Sequence, residues 1–202
     1  MNESRIKSPW VLFGIDEVVY AISSEAVLSI NQISQTTPLP KTPPEVRGVI
    51  DFRGAIIQLI DLRILLNRKS IVQEIESFSQ MIDQRFNDHF NWIETLKKSI
   101  LENSEFTLTT DPHECEFGKW YDSYNLKNAN IMFETTFRKF DGPHKEIHRI
   151  GITARELLNK GKQEEAIQLI EKTKDTELKQ MLQLFDDIKI AYKESLRETI
   201  LV

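Results

Sequence analysis

The chain has 202 residues, 40% of them hydrophobic and 28% charged, with a formal net charge of −5. That composition fits one large or two small water-soluble domains and gives no basic face for nucleic acid. No apolar run approaches the roughly 20 residues needed to cross a bilayer, and MNESRIKSPW lacks the apolar core of a secretory signal. A single cysteine cannot form an internal disulfide, so a cytoplasmic home is the expectation.

Residues 8–67 are rich in Val, Ile and Pro and read as short strands. Trp10–Gly14 and Glu17–Ile22 are the first two, and Ser23 to Glu25 can cap a short helix through Leu28. Asn31–Thr37 returns to β-type residues. Pro38, Pro40, Pro43 and Pro44 force an extended connection. Val46–Phe52 and Ala55–Ile60 follow, joined by a turn at Arg53-Gly54, and Asp61 caps a closing turn through Leu66. Near Asn67–Ser70 the pattern changes to helical periodicity, which divides the chain at 1–69 and 70–202.

In the second part, Phe78, Ile82, Phe86, Ile93, Leu96 and Ile100 step at helical spacing and predict a helix over about Glu74–Leu101. His89 falls in that inward stripe. A second helix is expected from Thr110 or Asp111 as N-cap, with Pro112 in its first turn. Cys115 would then lie in that first turn, where the helix dipole lowers a thiol pKa, and Gly118 would admit a neighbouring helix. A third helix opens at Asp141-Gly142-Pro143 and carries His144 and His148 one turn apart on one face. Further helices are expected over Arg155–Asn159, Lys162–Lys172 and Asp175 to about Thr199, with a break at Lys160-Gly161.

Three inward histidines and a lone thiol, His89, Cys115, His144 and His148, make a full tetrahedral ligand set for Zn²⁺. His113, two residues from Cys115, should point to another face. Taken singly, an inward histidine is more often a hydrogen-bonded core residue and a lone cysteine a small buried hydrophobe. Glu114 and Glu116 flank Cys115, yet no HExxH arrangement accompanies them, which argues against a zinc hydrolase.

The run RGVIDFRGAIIQLIDLRILL (Arg47–Leu66), with TPLPKTPPEVRG before it, resembles the signature of the CheW-like chemotaxis coupling family. The resemblance implies an SH3-like antiparallel β-barrel and partners among chemoreceptor signalling tips and the histidine kinase CheA. It places Arg53, Val49 and Ile50 where the family contacts partners. It covers about half of such a domain, so the barrel is incomplete relative to the family and apolar surface or open strand edges should need cover.

The runs HFNW (His89–Trp92), CEFGKW (Cys115–Trp120) and PHKEIH (Pro143–His148) resemble, in order and spacing, the chemoreceptor zinc-binding domain (CZB). That family is a helical bundle, often dimeric, with zinc held by three histidines and one cysteine; by motif position these are His89, Cys115, His144 and His148. The expected fold is therefore α+β, a partial barrel followed by a helical bundle. The expected function is a chemotaxis adaptor and sensor, without catalysis, responding to zinc or to a thiol oxidant such as hypochlorous acid. A scaffold with a purely structural zinc is the alternative.

Overall fold

The computed structural model describes residues 9–16, 18–32, 35–196 and 199–201. The chain divides into two compact units: residues 1–74 with 196–202, and residues 75–195.

The first unit is β-rich. Strands β1 (Trp10–Ile15) and β2 (Val18–Ser23) form an antiparallel hairpin, with Trp10 opposite Ser23 and Ile15 opposite Val18. Asp16 makes the turn at φ 54°. The short helix expected after β2 is a single 3₁₀ turn, Ser24–Ala26, whose Ser23 side chain accepts from the Glu25 amide. Strand β3 (Ile30–Gln32) covers the start of the strand expected over 31–37; Ile33 and Ser34 lie outside the described residues. Thr37 pairs with Val49 through two backbone hydrogen bonds of 2.9 Å. At that crossing Gly48 has φ +138°, and a Cβ there would lie 2.2 Å from the Thr37 carbonyl oxygen, so only glycine fits.

Strands β4 (Val46–Phe52) and β5 (Ala55–Ile60) form the second hairpin. Its two-residue turn is Arg53-Gly54, both at positive φ, and the Asp51 carboxylate accepts from the Gly54 amide at 2.7 Å. Asp61 caps helix α1 (Leu62–Leu65) by accepting from the Arg63 and Ile64 amides. The Arg63 guanidinium reaches Asp16 at 2.6 Å and Glu74, while its Nε donates to the Lys69 carbonyl at 2.8 Å.

Among the described residues the strands make three separate two-stranded ladders, β1-β2, β4-β5, and β3 with a C-terminal strand β6 (Thr199–Leu201). The buried apolar core of this unit is small, centred on Ile50 and Leu59 with Ile57 against them. Trp10, Leu12, Val19, Leu28 and Ile56 are all more than 60% exposed. Exposed apolar surface is what a partial barrel should leave.

The second unit is helical. Helix α2 (Ile71–Glu102) opens on a reciprocal cap, Ser70 amide to Gln73 Oε1 and Gln73 amide to Ser70 Oγ. Its inward stripe buries Phe78, Ile82, Ile93, Leu96 and Ile100, as the periodicity requires, and His89 with them. Helix α3 (Glu116–Ser123) is followed by α4 (Ile131–Arg138), which the sequence reading had no element for. Only Lys139 and Phe140 separate α4 from helix α5 (Asp141–Asn159), which has the buried Phe140 at its N-cap and no side-chain cap. The expected break falls at Gly161, φ +73°, after which α6 (Gln163–Thr173) runs through a π-turn (Lys174–Leu178) into α7 (Lys179–Ser195). The last helix therefore ends before Thr199, and the chain turns to β6 instead.

Helix α5 packs on α6, and α4 on α7. An aromatic cluster fills the bundle: Phe78 stacks on Tyr192 at 3.9 Å and Tyr121 on Phe137 at 4.4 Å. Large rings at this density bury much apolar area per residue and hold one packing. Among the described residues no helix is long and apolar enough to cross a membrane.

Candidate metal centre

His89 comes from the middle of α2, Cys115 from the cap of α3, and His144 and His148 from the first two turns of α5. Each of the four offers one ligand atom, and these atoms lie within 4.8 Å of one another. Cys115 Sγ is 3.2 Å from His144 Nε2 and 4.0 Å from His89 Nε2. Zn–N and Zn–S bonds of about 2.0–2.3 Å put tetrahedral ligand atoms about 3.3–3.6 Å apart. The cluster thus needs only a small contraction to close on an ion.

The second coordination layer orients the rings. A carbonyl only accepts, so the 2.7 Å contact between His89 Nδ1 and the Arg85 carbonyl puts the proton on Nδ1 and leaves Nε2 free as donor to a metal. The Phe117 ring packs edge-on against His144 with centroids 4.7 Å apart. Trp92 lies 5.1 Å from His148, and its indole N–H donates to the Thr109 carbonyl at 2.8 Å. Among the described residues neither ring nitrogen of the buried His148 has a well-formed hydrogen bond. The Thr109 carbonyl, which accepts from Trp92, lies near enough to His148 to oppose the downward shift of its pKa without making a well-formed hydrogen bond to it. A buried imidazole with two such nitrogens, aimed into two more imidazoles and a thiol, is costly unless a metal fills the centre. The residues fit zinc, which when bound would act as a Lewis acid and hold the three helices together.

Burial depresses all three histidines: His89 is lowered, His144 falls to about 2 and His148 to about 4, each lowered further or opposed by its neighbours to a lesser degree. They are therefore neutral imidazoles at pH 7, the form a metal needs. Cys115 corrects the sequence expectation. It is the N-cap of α3 rather than part of its first turn, and burial pushes its thiol pKa up despite the Gly118 and Phe117 amides. A coordinated divalent cation reverses that balance and holds the sulfur as thiolate. The helix also starts later than expected because Asp111 Oδ1 accepts from the His113 amide at 2.8 Å, which closes a local turn over residues 111–113.

Gly118 is needed for this turn, not for a neighbouring helix. Its amide donates to Cys115 Sγ at 3.1 Å, and a Cβ there would lie 1.8 Å from the Pro112 carbonyl oxygen. A Gly118→Ala variant should lose about 2 kcal/mol of stability through overpacking against backbone. It should also lose zinc affinity, because the turn that aims Cys115 must move. Thermal unfolding and zinc titration of the same sample check both.

Of the remaining sequence candidates, His113 is exposed and paired with Asp122 at 2.7 Å, outside the cluster. Arg53 stands exposed at the β4-β5 turn with its guanidinium 5.1 Å from the Phe52 ring centroid. Val49 is half-buried, and Ile50 is 3% exposed, so its side chain belongs to the core of the β unit. Sequence reasoning missed Arg85, although its carbonyl lies one helical turn before His89. It also missed Phe185 of α7, whose ring is 6.5 Å from His89, because no local pattern links residues so far apart in the chain.

The CheW-like domain family matches residues 9–85, and the Chemoreceptor zinc-binding domain family matches residues 89–155. The Chemotaxis protein CheW of Bacillus subtilis (strain 168) is 28% identical over 111 residues, which is 54% of this chain and 70% of the relative. Protein FrzA of Myxococcus xanthus is 29% identical over 66 residues, 33% of this chain and 41% of the relative. No solved structure matches. Residues 9–85 thus match a CheW-like domain and residues 89–155 a chemoreceptor zinc-binding domain, a combination that points to a chemotaxis signalling adaptor.

Proposed function

We propose that this protein is a cytoplasmic chemotaxis adaptor and sensor. Its helical unit binds zinc through His89, Cys115, His144 and His148, and its β unit couples the state of that site to a receptor–kinase array. The chemoreceptor signalling tip and the kinase CheA are the partners, with the exposed Arg53 beside Val49 as the contact region; the buried Ile50 supports that edge from within. A second copy pairing through the helical unit is part of the reading. No catalytic step is assigned.

One observation favours sensing over a merely structural zinc. The three histidines are buried, whereas Cys115 is only half-buried and lies at a small mouth rimmed by Asp88 and Glu116. The oxidisable ligand is the accessible one. Attack of its thiolate sulfur on the chlorine of hypochlorous acid releases hydroxide and gives a sulfenyl chloride, which water converts to sulfenic acid with loss of chloride and a proton. That removes the thiolate from the ligand set. A closed four-ligand set is also what structural sites use, which keeps the scaffold reading as the alternative.

The test is retention of the zinc-loaded protein by an immobilised receptor tip with CheA, before and after brief hypochlorous acid treatment. Retention should change with oxidation in the wild type but not in Cys115→Ala, and Arg53→Glu should weaken it severalfold in every state. No association of the wild type sinks the adaptor reading. Association indifferent to oxidation favours the scaffold.

A further inference from the structure

Trp92 follows His89 by three residues on α2 and is 5% exposed. Its seat is built from two other segments of the helical unit. Its ring lies flush on α5 at Gly151, where an added Cβ would come within 3.0 Å of it and 2.8 Å of Thr110 Cγ2. Phe106 packs edge-on against it with ring centroids 5.2 Å apart. A buried indole N–H must find an acceptor, and this one takes the Thr109 carbonyl at 2.8 Å. That carbonyl is the one that also lies near the ring of His148.

Thr109 is fastened from its other side too. Its hydroxyl donates to Glu114 Oε2 at 3.1 Å and accepts from the Asp111 amide at 3.1 Å, which ties it to the turn leading into Cys115. Arg155 of α5 donates to the Ser104 carbonyl at 2.5 Å and pins the start of the same loop. The acceptor beside His148 is therefore held in place before any ion arrives. A neutral imidazole carries one proton, so a ring that gives one nitrogen to a metal keeps its proton on the other and needs an acceptor there. His89 has the Arg85 carbonyl for this. We infer that Trp92 is a positioning residue for the metal centre: by holding the Thr109 carbonyl beside His148 it supplies that ring's acceptor and fixes which nitrogen is left for the ion. The inference rests on the zinc reading of the site and adds a residue that acts on it through a neighbour.

NMR of the zinc-loaded, isotope-labelled full chain should show one His148 ring N–H proton protected from exchange with water. Trp92→Phe keeps an aromatic ring and removes the donor. In it that proton should be lost to exchange, and zinc affinity should fall about 10–100-fold, as for other partners of metal-bound histidines. Phe106→Leu loosens the same pocket but leaves the indole N–H. It should lower the melting temperature in chelator while keeping the wild-type zinc affinity and the His148 proton. If the wild type binds zinc but shows no protected His148 ring proton, or if Trp92→Phe binds zinc as tightly as the wild type, the positioning role is wrong and the zinc site stands. Equal loss of zinc affinity in Phe106→Leu and Trp92→Phe reduces Trp92 to packing and overturns the inference. A wild-type chain that binds no zinc removes the site and this role together.

Discussion

Purified protein should carry close to one zinc per chain, and Cys115→Ala or His148→Ala should each weaken binding by more than about 100-fold. Changes one shell further out already cost about 10–100-fold in characterised metal sites. Losing a ligand from a four-ligand set costs more, because the rest cannot complete a tetrahedron. His148 is the informative choice, because neither of its buried nitrogens has a well-formed hydrogen bond. In the metal-free protein its replacement by Ala removes a polar group without a well-formed hydrogen bond, so apo stability should fall little for a buried side chain. In the loaded protein the same change should remove most of the stabilisation by zinc. At free zinc about 1,000-fold above Kd that stabilisation is about 4 kcal/mol. For a unit of this size it raises Tm by about 15 °C. Metal content by mass spectrometry, with melting curves in zinc and in chelator, checks all three statements. Full zinc occupancy in His148→Ala would remove this residue from the site.

Acidification should unfold the metal-free helical unit well before ordinary acid denaturation. His89, His144 and His148 are held below 6.5 in the folded state, chiefly by burial, with His144 at about 2 and His148 at about 4. Above pH 6.5 the imidazoles are neutral in both folded and unfolded chains, and no stability is lost. Below it the unfolded chain takes up protons that His144 and His148 refuse in the folded one, so these two alone lower stability by up to about 3 kcal/mol per pH unit, and His89 acts in the same direction. From pH 7 to pH 5 the loss from these two is about 4 kcal/mol, a large part of the whole stability of a small domain. Replacing one of them, as in His144→Phe, should make the slope visibly shallower, by up to about 1.4 kcal/mol per pH unit. Zinc should shift the transition to lower pH, since protons must then displace the metal. Denaturant unfolding of the apo protein at several pH values between 5 and 8 measures the slope. A flat profile would mean that the rings are not buried together.

Much of this was legible in the chain. The β4-β5 hairpin and its Arg53-Gly54 turn, the Asp61 cap and the long α2 follow from local rules, because alternation, positive-φ residues and capping act over a few residues. The four metal candidates were legible because the helical period alone puts His89 inward and sets His144 and His148 on one face. The start of α3 was misread because two local signals compete: Asp111 can cap a helix or close a turn, and which wins depends on what Cys115 Sγ does. The end of the last helix was misread because β6 forms only on meeting β3, more than 160 residues earlier in the chain.

The sequence by itself therefore determined the α+β class, the split between a strand grammar and a helical one, and the ligand types available for zinc. It did so because those features depend on period and residue chemistry within single segments. Only the tertiary structure decided that the four ligand atoms meet, that His148 is left without a well-formed hydrogen bond, that Cys115 is the accessible ligand with a raised rather than lowered pKa, and that the helical unit is inserted between β5 and β6. Each of these depends on distance and burial between segments far apart in the chain, where local propensity carries no information.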